Sequence, residues 1–219
     1  MKWIVALFGW IARWRTKPQI TSQQKKPRSL AWGQKVSAQF RERIFEISHV
    51  LGAHPDDLMA CIAFETAETF RPDIKNAAGS GATGLIQFMP RTALSLVFPD
   101  LKIGRMSATD LKAKSQQAVD HLARMSAVEQ LDYVHLYFKP YTGRLKSLPD
   151  VYMAILWPAG IGKPDDWVLW HKGERPKTYR QNAGLDANKD GVITKAEAAG
   201  KVLAKLHEGR QAANLWVEP

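Results

Sequence analysis

A single cysteine, Cys61, is the whole thiol content of this 219-residue chain. One thiol excludes an intramolecular disulfide and a cysteine-based zinc site, and its helical spacing from Leu58 and Ile62 marks it as core. Long apolar runs are missing as well: no stretch approaches the roughly 18 residues that a membrane-spanning helix needs. Acid is absent from residues 1–36, which hold eight basic residues. That segment carries +8 of the net +10, leaving +2 for the other 183 residues. The basicity therefore belongs to an N-terminal arm, and no nucleic-acid groove is expected in the body. Alternating strand patterns are scarce, so the chain is expected to be mainly α.

What is present suffices for a core. Hydrophobic residues make up 45% of the chain, with eight tryptophans and eight phenylalanines, which excludes wholesale disorder. The length fits one domain with short appendages. Four of the tryptophans (Trp3, Trp10, Trp14 and Trp32) lie in the basic arm. Residues 3–12 form an apolar run whose helical rise, about 15 Å, is half a bilayer's hydrocarbon core. Residues 1–15 fit a short signal-like apolar region behind Lys2, although no small-x-small cleavage site follows. They equally fit an interfacial peptide, with Trp rings at the headgroups and Arg13 and Arg15 on anionic membrane or lipopolysaccharide phosphates. A helix docked on the body and an appended sequence stay open. Residues 16–36, rich in Pro, Gln, Lys and Ser, form a linker.

From Ser37 onward the periodicity is helical. Phe40, Ile44, Ile47 and Leu51 repeat at three to four residues behind a capping Ser37. Pro55 and Asp56 open a second helix, and further helices are expected over 107–124, 127–138, 149–157 and 195–207. Gly79, Gly81 and Gly84 interrupt the pattern, leaving room for a short loop or small hairpin.

Leu58, Cys61, Ile62 and Glu65 share one helical stripe, so a carboxylate stands where an apolar residue is expected. Desolvation raises such a carboxyl's pKa, and a protonated glutamate donates to a leaving oxygen in glycosidase chemistry. A glutamate whose head simply reaches water fits the spacing too. After Ala63-Phe64-Glu65-Thr66 come Phe70-Arg71-Pro72 and the run from Asn76-Ala77-Ala78-Gly79-Ser80-Gly81 to Ala82-Thr83-Gly84-Leu85-Ile86-Gln87-Phe88-Met89-Pro90-Arg91-Thr92-Ala93. This block resembles the lytic transglycosylase family, the goose-type-lysozyme-like enzymes of bacterial envelopes and phage lysins, with Ile86 in place of a methionine.

The resemblance implies a mainly α, lysozyme-like domain over 37–182, with Glu65 catalytic and Ser80, Gly84 and Gln87 facing substrate. Independently, glycine permits close backbone approach to a sugar, and Gln87 offers a donor and an acceptor to hydroxyl and acetamido groups. Leu156-Trp157-Pro158-Ala159-Gly160-Ile161-Gly162 resembles the family's Ala-Tyr-Asn-Ala-Gly-x-Gly; Trp157 keeps a stacking face, while Pro158 loses the Asn amide. Thr178-Tyr179 matches a late family element loosely, and the resemblance implies that Tyr179 hydrogen-bonds the catalytic Glu. An ordinary half-buried tyrosine fits as well.

Most glycosidases pair two carboxylates. The resemblance implies one, which protonates the glycosidic oxygen and then deprotonates the muramyl C6 hydroxyl to close a 1,6-anhydro ring. Glu68, three residues along the helix surface, and Asp73 are possible second acids for a lysozyme-type muramidase, and a charged Glu68 would raise Glu65 further. A non-catalytic wall-binding module keeping the same fold is a further alternative.

Asp186-Ala187-Asn188-Lys189-Asp190-Gly191-Val192-Ile193-Thr194-Lys195-Ala196-Glu197 fits the EF-hand loop. Asp186, Asn188, Asp190 and Glu197 supply side-chain oxygens and Val192 a carbonyl, with Gly191 at the turn. Residues 183–219 are thus expected to hold a structural Ca2+ that pins a C-terminal helix, with no metal or cofactor in the chemistry. Lys189 and Lys195 dilute the loop's charge. An Asx-rich turn that stays empty fits the same residues. The expected partner is the peptidoglycan glycan strand, attacked at the bacterial cell envelope or periplasm by a monomer, of bacterial or phage origin.

Overall fold

A computed structural model describes residues 27–76 and 79–219. The arm expected over 1–15, most of the linker, and Ala77 and Ala78 of the motif lie outside the described residues. The chain is mainly helical, with eight α-helices and two small two-stranded sheets among the described residues.

Helix α1, Ala38–Leu51, begins where Ser37 accepts a hydrogen bond from the Phe40 N–H and ends at Gly52 in the left-handed region. Its expected apolar stripe (Phe40, Ile44, Ile47, Leu51) is buried. Helix α2, Pro55–Glu65, starts with Pro55 in its first turn, where the missing N–H costs nothing. Residues Leu58 to Ala63 are all fully buried, so α2 is surrounded by protein over its length. Helix α3, Pro90–Val97, follows the motif directly; helices α4, Ala108–Ala123, and α5, Ala127–Phe138, follow in turn, each opened by a serine cap. Helix α6, Leu148–Leu156, opens at Ser147. Short α7, Pro176–Asn182, precedes the long α8, Lys195–Gly209.

Strands β2, Val168–His171, and β3, Val192–Thr194, pair antiparallel across a bulge between Val168 and Trp170. Strands β1, Ser29–Leu30, and β4, Trp216–Val217, join the two ends of the described chain. Neither sheet carries a periodicity long enough to be read from sequence.

One core holds these pieces together, and it includes residues expected in the linker. Leu30, Ala31 and Trp32 are buried in it. The Trp32 indole N–H donates to Lys205 O at 2.8 Å, and a Cβ on Gly209 would lie 2.4 Å from its ring, so only glycine fits there. Helix α8 packs on α2 and α6. The C-terminal segment therefore covers the helix that carries Glu65. No described helix is long and apolar enough to cross a membrane.

Candidate active site

Glu65 is the last residue of α2, half-buried, with no hydrogen-bond or ion-pair partner for its carboxyl among the described residues. Burial pushes it from 4.5 up to about 7. The carbonyl end of a helix is partially negative, which disfavours the carboxylate in the same direction. Glu68 adds nothing to this, because the helix stops before it. Residues 66–69 form a turn in which Ala67 and Glu68 take φ of 47° and 64°. Glu68 points instead to α8, where it pairs with Lys205. Asp73 is held by Arg71, Nη2 to Oδ2, at 2.7 Å. Neither candidate second acid faces Glu65 as a free carboxylate.

Two tyrosines that sequence reasoning missed flank Glu65. Burial raises the Tyr152 and Tyr137 hydroxyls, and the Glu65 charge adds to both shifts. Tyr152 sits edge-on to Phe64 with ring centroids 5.6 Å apart. Tyr137 donates to Ala154 O at 2.7 Å and packs edge-on against Phe88 of the motif loop. Through these rings α2, α5, α6 and the motif loop meet around one carboxyl. The only sequence signal was a pair of tyrosines on otherwise apolar helix faces.

The motif loop is locked from within. Gln130 of α5 is fully buried; its Oε1 accepts from Leu85 N at 2.7 Å, while its amide donates to Pro72 O and Leu122 O. Gly84 is buried over that amide, at φ 83°, and a Cβ there would lie 2.3 Å from Gln130 Oε1. Its hydrogen atom serves the approach of Gln130, not the approach of a sugar. Gln87, at φ 52°, donates its amide to Ile74 O and Gly84 O, so its donors are committed. Its Oε1 is buried and unpartnered. Ser80 is exposed, its hydroxyl accepting from Ala82 N at 3.3 Å. With Phe70 at φ 52°, four of the described non-glycine residues between 67 and 87 are left-handed. Such strain persists only where surrounding structure imposes it, and it clusters at functional sites.

Trp157 follows α6, half-buried, with Trp170 edge-on at 5.7 Å. It lines a groove of about 290 Å³ with Trp167, His171, Glu174 and Arg175, and Glu65 is not among the groove's lining residues. Tyr179 does not donate to Glu65. Its hydroxyl donates to Asp186 Oδ2 at 2.5 Å, which makes it a brace of the C-terminal loop.

That loop, 186–197, has Lys189 and Gly191 in the left-handed region and runs through β3 into α8. Asp186 Oδ1 and Glu197 Oε1 are buried without a partner. Glu197 Oε2 caps α8 through the N–H and hydroxyl of Thr194. Asp190 is engaged locally, accepting from Val192 N at 2.8 Å and from the Asn188 amide at 2.9 Å. Among the described residues no three acids or histidines converge as a ready metal cluster. Two orphaned carboxylate oxygens at the loop's first and last positions nonetheless fit a hard cation. Lys195 does not dilute this charge as expected, because its ammonium is buried against Asp150.

No protein-family model matches the chain, and no curated protein sequence matches it.

Proposed function

We propose that the protein cleaves the β-1,4 bonds between muramyl and glucosaminyl residues of peptidoglycan, as a lytic transglycosylase on a goose-type-lysozyme-like fold. The observation that carries the reading is the lone Glu65 carboxyl, raised to about 7 by burial at the end of α2. A carboxyl near that value holds a proton at neutral pH and gives it to the glycosidic oxygen as the bond breaks. The resulting carboxylate then takes the proton of the muramyl C6 hydroxyl, whose oxygen closes on C1 and makes the 1,6-anhydro ring. No water is consumed.

Commitment of Glu68 to Lys205 and of Asp73 to Arg71 supports one acid over two. Tyr137 and Tyr152 hold the walls around that acid and exclude water from it. The 186–197 loop is a candidate Ca2+ site held by Asp186, Asn188, Asp190, Glu197 and the Val192 carbonyl. An ion there would neutralise buried carboxylate charge at the start of α8. On this reading the enzyme acts at the bacterial envelope.

Mass spectrometry of digested peptidoglycan tests the reading. The expected products carry anhydromuramyl ends, lighter by one water than hydrolysed ends, and a folded Glu65→Gln protein yields none. Reducing muramic ends alone would make the enzyme a muramidase. Full activity in folded Glu65→Gln would remove Glu65 from the chemistry.

A further inference from the structure

We infer that the groove beside Trp157 is a second binding site, one that takes the acidic peptide stem of peptidoglycan through Arg175. The inference rests on the glycan-cleaving reading for its substrate but not for its geometry. The groove's walls are the side chains of Trp157 and Trp167 with strand β2. Trp157 cannot swing freely, since buried Trp170 stands edge-on beneath it. The Arg175 guanidinium lies over the Trp157 ring, 5.7 Å from its centre. It forms no ion pair among the described residues, even though Glu174 is its neighbour in sequence and in the groove. A guanidinium held over an indole, with its fork unspent, suits a planar carboxylate.

The backbone fixes this arrangement from two sides. Arg175 N donates to His171 O at 2.9 Å, and His171 Nδ1 accepts from Gly173 N at 3.1 Å, closing a tight turn after β2. Strand β2 is in turn paired with β3, His171 opposite Val192. The site therefore stands on rigid elements.

Its position relative to Glu65 sets what reaches it. Tyr137, beside Glu65, grips the carbonyl of Ala154 in α6, and Trp157 directly follows the end of that helix. A glycan strand lying at Glu65 carries its peptide on the muramyl lactyl group, away from the scissile oxygen. A groove at the end of α6, aromatic and carrying the unpaired Arg175 fork, meets that branch and its free carboxylates. The chemistry selected is a carboxylate joined to a compact amphipathic chain, and it predicts preference for peptide-bearing over peptide-stripped strands.

Two measurements on the whole protein test this. Tryptophan fluorescence is titrated with free stem tetrapeptide, with the same peptide as its amides, and with inorganic phosphate. Quenching by the acid peptide is expected, weakened at least about tenfold in Arg175→Ala, the scale of one lost charge-assisted hydrogen bond. Arg175→Lys restores only part, since an ammonium lacks the planar fork. The ratio of kcat/KM on peptide-bearing over peptide-free strands falls toward one in Arg175→Ala. No quenching by the acid peptide, equal quenching in folded Arg175→Ala, or equal quenching by phosphate overturns the inference. Cleavage of peptide-free strands reports the glycan-cleaving reading by itself, so failure of one is distinguishable from failure of the other.

Discussion

The Lys195 ammonium lies 2.6 Å from Asp150 Oδ1 with both side chains buried, tying the first residue of α8 to the first turn of α6. Lys195 also donates to Lys163 O, and Asp150 accepts from Gly162 N. One ion pair thus holds the exit of the 186–197 loop, the 160–163 turn and the helix that carries Tyr152. Removing one partner leaves a buried charge uncompensated.

Lys195→Met is expected to cost about 3–5 kcal/mol at neutral pH, read from denaturant melts. Burial pushes the Asp150 carboxyl up, but the Lys195 hydrogen bond and the Gly162 N–H outweigh it, and the net direction is down. A lowered carboxyl contributes stability above its unfolded value of about 3.9 that is lost as pH falls through its folded value. The gap between wild type and Lys195→Met therefore narrows below about pH 4. A gap that is constant in acid would argue against the pair.

Glu65 has the opposite sign. Its folded value of about 7 lies above the ordinary 4.5, so the native state holds the extra proton between them. Wild-type stability declines relative to Glu65→Gln as pH rises across that window and levels off above it. On the proposed reading, the cleavage rate on glycan strands is expected to fall about tenfold per pH unit above that value, as the acid form is lost. Melts and initial rates over one pH series check both statements. A flat rate from pH 7 to 9 would mean that another group supplies the proton.

Gly84→Ala strains a left-handed backbone and drives a methyl into Gln130 Oε1. The combined cost is about 2–4 kcal/mol. Gln130→Ala relieves the clash, so the double variant loses less than the two single losses added. Strict additivity in the thermal melts would show that the two residues do not touch in solution.

If the 186–197 loop binds calcium, a hundredfold excess over its Kd is expected to stabilise the protein by about 2.7 kcal/mol. Asp186→Asn or Glu197→Gln is expected to abolish that gain by removing an oxygen that has no protein partner. Terbium luminescence excited through Trp170 or Tyr179 reads binding without reference to activity. Identical melts with calcium and with chelator would leave the loop an Asx-rich turn.

Truncation of the arm must stop before residue 27, because Leu30, Ala31 and Trp32 belong to the core. Residues 1–26 hold six basic side chains, each contributing about 1 kcal/mol at an anionic surface. Their removal is expected to leave the melting temperature nearly unchanged while weakening binding to anionic vesicles, less so as salt rises. A fall of many degrees in melting temperature would favour a docked helix.

Legibility in the sequence followed locality. Helix α1 with its Ser37 cap, the start of α2 at Pro55, and the stripe ending in Glu65 were readable because each depends on neighbours within two turns. Helices α3 and α7 were overlooked. Both start at a proline and are short, and α3 adjoins a motif that drew attention to chemistry. Glu68 was misplaced by assuming that the helix continued, when Ala67 already turns left-handed. Tyr179, Lys195 and Gln130 find partners 7, 45 and 45 residues away. No periodicity encodes such pairings, nor the meeting of β1 with β4.

That last pairing has a consequence for the timing of synthesis. Arg28 and Ser29 meet residues 217 and 218, and Trp32 seats against Gly209. A ribosome adds Glu218 to the chain 190 residues after Arg28. Until α8 is free of the exit tunnel, α2 lacks the helix packed along it. The helix that ends in Glu65 then lacks one of the neighbours that bury it along its length. On the proposed reading, a nascent chain therefore carries the candidate acid before the packing around its helix is complete.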